Sequence, residues 1–162
     1  MIVVLMGVCG CGKSTVGVAL ANTIGWTFLD ADDFHPEANV AKMATGVPLT
    51  DADRWPWLDR MVSELQAIER QGRHVVLACS ALRKIYRDRL DRAGEIRWVY
   101  LKGDAATIEP RMASRSGHFM PATLLASQFA TLEEPSDAIV VDISQPTAAQ
   151  AAQIAATLRS TV

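Results

Sequence analysis

Cysteine is scarce in this 162-residue chain, which holds three, Cys9, Cys11 and Cys79. An odd, small number argues against a disulfide framework. The pair Cys9-x-Cys11 has no further Cys or His at zinc-like spacing, so it reads as two small side chains in a tight loop. A helix N-terminus close by would make such a thiol sensitive to alkylation or oxidation. Charge of one sign is not in excess either: 16 Lys and Arg face 18 Asp and Glu, for a formal net charge of −2. That balance gives no reason to expect a nucleic-acid or anionic-membrane surface. No apolar run approaches the roughly 20 residues of a membrane span. The first residues read as a core strand rather than a basic region with a cleavage site, which predicts a cytoplasmic protein. The guanine-reading pattern N-K-x-D is absent and no D-x-x-G stands at the exit of the third strand; both absences argue against a GTPase switch. No repeat, low-complexity tract or linker divides the chain, so one domain over residues 1–162 is expected.

What is present begins at the N-terminus. The apolar run Ile2-Val3-Val4-Leu5-Met6 leads into Gly7-Val8-Cys9-Gly10-Cys11-Gly12-Lys13-Ser14-Thr15, and a helical pattern follows. The spacing G-x-x-x-x-G-K-[ST] between a strand and a helix is that of a phosphate-binding loop. Glycines let the backbone curl and approach an anion with no Cβ in the way. Successive N–H groups then form an anion nest at the positive end of the helix. Lys13 is placed to reach β- and γ-phosphates, and the Ser14 hydroxyl to hold Mg²⁺. The loop binds a nucleotide.

Strands and helices alternate along the rest of the chain. After a helix through Val16, Leu20 and Ile24 with Gly25 as its cap, residues 26–29 read as a strand ending at Asp30. Pro36 opens a short helix through about residue 46, and Pro56 is expected in the first turn of another that Gly72 ends. Residues 74–79 form a third strand, with Ser80 as exit and possible N-cap of the next helix. Residues 98–101 form a fourth strand. A helix over about 104–115 and another over 124–132 follow, then a fifth strand at 138–142 and a closing helix from Thr147. Strands that are continuously apolar predict a parallel sheet covered by helices on both faces, an α/β fold. Residues 33–72 exceed what one crossover needs and read as an inserted substrate-side helical region.

In such sheets ligands bind at the carboxyl ends of strands. Asp30, Asp32 and Asp33 leave the second strand, where they could cap a helix, or could anchor waters on Mg²⁺ and accept a hydrogen bond from an attacking hydroxyl. Arg111 and Arg115 lie one turn apart before a loop containing Gly117 and His118. They form either a solvated basic face or part of a lid over about 111–122 whose arginines neutralise a transferring phosphoryl group. Lys42, Arg54, Arg83, Lys84 and Arg87 together would suit an acceptor with its own carboxylate or phosphate. His35 could donate to a polyhydroxylated substrate or cap a helix. His74 reads as structural, and the four tryptophans as packing residues.

These stretches together resemble one family. D-A-D-D-F-H-P-E-A-N at 30–39, K-M-A-T-G-V-P-L-T-D-A-D-R-W-P-W-L at 42–58 and A-C-S-A-L-R-K-I-Y-R-D at 78–88 are similar to gluconokinases. So are Y-L-K-G-D at 100–104, R-S-G-H-F-M at 115–120, S-Q-F-A-T-L-E-E-P at 127–135 and V-V-D-I-S-Q-P at 140–146. The resemblance implies a nucleoside-monophosphate-kinase-like P-loop fold, an ATP- and Mg²⁺-dependent D-gluconate kinase making 6-phosphogluconate, and a homodimer. It implies roles too: Asp30 behind Mg²⁺, Asp32 at the acceptor hydroxyl, and Arg54 at the substrate carboxylate. Arg111 would lie against adenine, with Gln145 and Pro146 bordering it, and Arg115 would serve as the lid arginine. His35, Lys42, Ser80, Arg83, Arg87, His118 and Gln128 complete the expected substrate contacts. The chain departs from the family in carrying Cys at 9 and 11, where Ser is frequent; backbone amides do most of the phosphate binding, so little change in mechanism is expected. A shikimate-kinase-like enzyme is the nearest rival, though Cys79-Ser80-Ala81 stands where that family shows a G-G-G run. A nucleoside monophosphate kinase and a nucleotide-binding module without turnover are the others.

Overall fold

A computed structural model describes residues 1–114 and 122–161. In chain order the elements are β1 (Ile2–Met6), α1 (Lys13–Ile24), β2 (Thr27–Asp30), a 3₁₀ turn (Ala31–Phe34), α2 (Glu37–Ala44), α3 (Asp51–Arg70) and β3 (Val75–Ala78). Then come α4 (Lys84–Leu90), a second 3₁₀ turn (Asp91–Ala93), β4 (Ile96–Lys102), α5 (Ala105–Ala113), α6 (Ala122–Thr131), β5 (Ile139–Asp142) and α7 (Thr147–Arg159). All strand pairs are parallel, in the order β2-β3-β1-β4-β5. Strand β1 is therefore central, and the chain builds first to one side of it and then to the other. Its carboxyl end opens at the reversal, where an α/β sheet offers a crevice.

The unbroken apolar run of β1 is explained by burial on both faces. Ile2, Val4 and Met6 join Val75 and Leu77 against Trp57, Leu58, Met61 and Leu65 of α3 and Leu90 of α4. Val3 and Leu5 face the other way, with Val76, Val99 and Leu101, onto Val16 and Leu20 of α1 and Ile154 and Leu158 of α7. Each such side chain contributes about 1.5–3 kcal/mol by leaving water.

Two local expectations are corrected. Helix α3 starts at Asp51 behind a capping box, in which the Thr50 side chain accepts from the Asp53 N–H and the Asp53 carboxylate accepts from the Thr50 N–H. Pro56 therefore sits in the second turn rather than the first, where it removes the N–H that would bond the Ala52 carbonyl. Ser80 does not cap α4, which begins only at Lys84 with Arg83 as N-cap. The intervening segment turns through Ala81 at φ 42°, the one non-glycine residue in the left-handed region among those described. Among the described residues, no helix is long and apolar enough to cross a membrane.

Candidate active site

The phosphate loop joins β1 to α1. Gly10 and Gly12 take φ values of 79° and 97°, conformations open to residues without a Cβ, and Gly12 is the N-cap of α1. A Cβ on Gly10 would also lie 2.7 Å from Met112 Cγ, so the loop is packed tightly against α5. Lys13 folds back across the loop, its Nζ donating to the Gly7 and Val8 carbonyls at 3.0 Å each. The Gly7 N–H donates to the Ser80 carbonyl at 3.3 Å, tying the loop to the exit of β3. Cys11 is buried beneath the loop, and burial pushes the Cys79 thiol up to about 12.

Strand β2 delivers the acids to this edge. The Ser14 hydroxyl donates to Asp30 Oδ2 at 2.7 Å, and Asp30 Oδ1 accepts the Asp32 N–H at 3.0 Å, capping the 3₁₀ turn. The carboxyl of Asp32 is raised above the ordinary aspartate value, first by burial and then by the charge of Asp30, against the opposing pull of His35 and Lys13. This turn is pinned from below. Trp57 Nε1 donates to the Ala31 carbonyl at 2.7 Å, and the Trp57 ring stacks on His35 at 4.3 Å. Asn39, buried, donates to the Asp53 carbonyl at 2.9 Å and lies 3.3 Å from His35 Nδ1. His35 is lowered below the usual imidazole value, chiefly by burial.

Ser14 and Asp30 offer oxygen atoms alone, already in contact beside the loop. That donor set suits Mg²⁺, which takes one or two protein oxygens and fills its octahedron with phosphate and water. Among the described residues, no group of three or more His, Cys, Asp or Glu forms a self-contained metal cage.

The remaining candidates divide. Arg111 Nη2 donates to the Ile143 carbonyl at 2.6 Å, bringing α5 to the turn that holds Gln145 and Pro146. That turn is shaped by Gln150, which the sequence did not flag; its Nε2 donates to the Gln145 carbonyl at 2.8 Å. Gln128 reaches the phosphate loop rather than the inserted helices, its Oε1 accepting the Cys9 N–H at 2.5 Å. Lys42 pairs with Asp53 at 2.6 Å within the α3 cap. Arg87 is only 7% exposed and points inward, donating to the Ala81 and Leu82 carbonyls at 2.9 and 3.2 Å. A buried guanidinium must be saturated with acceptors, and here the strained β3–α4 segment supplies them. Arg54 and Arg83 converge on Asp51 and Tyr86, two residues that no motif reading singled out. Both lie within the stretches 42–58 and 78–88 that carry the family resemblance, where neither was given a role. Arg115 and His118, and with them most of the expected lid, lie outside the described residues.

A family model described as an AAA domain matches residues 2–135. The chain is 45% identical over 150 residues to the thermoresistant gluconokinase of Escherichia coli K12, covering 90% of this chain and 86% of that protein. It is 48% identical over 136 residues to the gluconokinase of Gluconobacter oxydans, covering 83% and 76%. The crystal structure of a gluconokinase from Sinorhizobium meliloti 1021 superposes with a TM-score of 0.83 at 41% identity, over 98% of this chain and 95% of that one. A shikimate kinase from Acinetobacter baumannii shares the fold alone, at 18% identity and a TM-score of 0.58.

Proposed function

Because the chain belongs to the gluconokinase family, we propose that it transfers the γ-phosphoryl group of ATP to the 6-hydroxyl of D-gluconate, giving 6-phospho-D-gluconate and ADP. The observation that carries the chemistry is the contact chain Lys13 loop, Ser14, Asp30, Asp32 at the carboxyl edge of β1 and β2. Phosphoryl transfer asks for little covalent work from the protein, so positioning and charge do most of it. The N–H groups of residues 7–15 cradle the phosphates, and Lys13 swings from the Gly7 and Val8 carbonyls onto them. Ser14, and Asp30 through water, would hold Mg²⁺, which when bound would supply neutralisation of the phosphate charge. Asp32 accepts the hydrogen bond of the 6-hydroxyl and orients it for in-line attack. Its raised proton affinity makes it a better acceptor for that proton than an ordinary aspartate. His35, neutral on Trp57, is available to the hydroxyls along the acceptor, and Arg54 with Arg83 faces its carboxylate.

Arg111, Gln145 and Pro146 border adenine, and Arg115 is assigned the charge on the moving phosphoryl group by the family resemblance. Ser80, His118 and Gln128 remain substrate-side assignments, Gln128 acting through the loop amide it contacts. A cytoplasmic homodimer is the expected working form.

The test is coupled ADP release with Mg·ATP and a panel of D-gluconate, other aldonates, shikimate and nucleoside monophosphates. Turnover with gluconate above the rest is expected. Turnover confined to shikimate or a nucleotide would keep the phosphate loop and overturn the acceptor.

A further inference from the structure

Between the first turn of α3 and the start of α4, one carboxylate is shared by two guanidiniums and a phenol. Asp51 Oδ1 accepts from Tyr86 Oη at 2.5 Å and from Arg54 Nη1 at 3.4 Å, while Oδ2 accepts from Arg83 Nη1 at 3.1 Å. Arg54 Nη1 also donates to Tyr86 Oη at 3.2 Å. Both guanidinium carbons lie over the Tyr86 ring, 5.4 and 5.7 Å from its centroid, and Trp55 meets that ring edge-on at 6.0 Å. The arginines are thus held side by side with one acid between them. The neighbouring charges pair off: Lys42 with Asp53, Lys84 with Asp88, and Glu133, which accepts the Lys84 backbone amide and acts on Arg83, against the buried Arg87 guanidinium.

Phosphoryl transfer has no use for an acid at this end. Two guanidiniums alone would carry a charge of two and would favour a phosphate dianion, which arginine forks bind well. With Asp51 between them the net charge is a single positive one. One terminal nitrogen of each arginine is also already engaged by Asp51. We propose that Asp51 is a specificity-determining residue, which sets the acid-binding end of the acceptor site to a charge of +1 so that it selects a singly charged carboxylate and rejects phosphorylated polyols. Those phosphates are the competitors that most need rejecting, since they can offer the same hydroxyls and the same terminal alcohol. Specificity here comes from a repulsive element built beside the attractive one. The inference rests on the acceptor reading above, in which Arg54 and Arg83 face the substrate's acid end.

Three ligands differing in charge at that one end test it: D-glucitol, D-gluconate and D-glucitol 1-phosphate, each with a free terminal hydroxyl at the other end. Calorimetric binding and ADP release are measured for the wild type, Asp51→Asn, Asp51→Glu and Asp51→Asn/Arg83→Gln. In the wild type gluconate should bind tightest. Asp51→Asn keeps the side-chain shape and an acceptor for Tyr86, and should raise the affinity for the phosphate relative to gluconate by about tenfold, a half-exposed charge pair being partly screened. Asp51→Glu should restore the wild-type ratio. The double variant returns the net charge to +1 and should move the ratio back towards gluconate. Parallel weakening of all three ligands in Asp51→Asn would mean that Asp51 only starts the helix, and an unchanged ratio would equally overturn the proposal. If the wild type binds gluconate without phosphorylating it while the ratios shift as described, the acceptor reading fails and the charge assignment stands.

Discussion

Replacing Trp57 by phenylalanine keeps an aromatic ring in the core but deletes the N–H that holds the Ala31 carbonyl. Trp57 is 6% exposed and Ala31 2%, so no water stands ready to replace the 2.7 Å bond. An unsatisfied buried carbonyl costs about 1–3 kcal/mol, and the smaller ring adds roughly 1 kcal/mol of lost packing. For a domain of this size each kcal/mol lowers the melting midpoint by about 2–4 °C. A loss of roughly 10 °C is therefore expected in thermal denaturation followed by circular dichroism. The functional consequence is sharper, because Ala31 stands between Asp30 and Asp32. A carboxylate misplaced by a fraction of an ångström loses its attack geometry. The turnover number with gluconate should fall by about tenfold or more, while the KM for ATP, set by a loop that Trp57 does not touch, stays near the wild-type value. A variant with the expected melting loss but unchanged turnover would refute the claim that Trp57 positions Asp32.

Asp32→Asn should lower turnover by about 10²–10⁴-fold, the usual contribution of a positioned base, with ATP binding retained in a calorimetric titration. It should also raise the melting midpoint at neutral pH. The folded protein holds the Asp32 proton more tightly than the unfolded chain, so this group's stabilising contribution is full below the unfolded value and is lost as pH rises through the folded one. A lower midpoint for Asp32→Asn at pH 7 would contradict that sign. Asp53 behaves oppositely: hydrogen bonds from Lys42 and then the Thr50 amide hold its carboxyl at about 2. Its contribution is present above the unfolded value near 3.8 and is lost as pH falls towards 2. The urea midpoint of Asp53→Asn should therefore lie below that of the wild type at pH 7 and converge with it near pH 2.

Legibility followed chain distance. The strand, loop and helix of residues 2–24 depend on backbone conformations set by near neighbours: β1 by its apolar run, the turn by Gly10 and Gly12, the helix end by Gly25. Asp30 and Asp32 were readable for the same reason, since leaving a core strand beside such a loop places them at its edge. The limits of α3 and α4 were misjudged where a local signal was ambiguous. Pro56 reads as a first-turn residue until the Thr50–Asp53 cap is seen to begin the helix earlier, and Ser80 reads as a cap until the left-handed Ala81 delays α4.

The amino-acid sequence by itself determined the phosphate loop, the parallel sheet and the acidic exit of β2, because each follows from interactions within a few residues or from a repeating pattern of burial. Only the tertiary structure decided which long side chains meet. Tyr86 reaches Asp51 across 35 positions, Gln128 reaches the Cys9 amide across 119, and Arg87 turns inward while Arg83 and Arg54 turn to a shared acid. An arginine or glutamine has many rotamers and no local preference among distant partners, so its contact is chosen by how α3, α4 and α6 pack around the edge of the sheet.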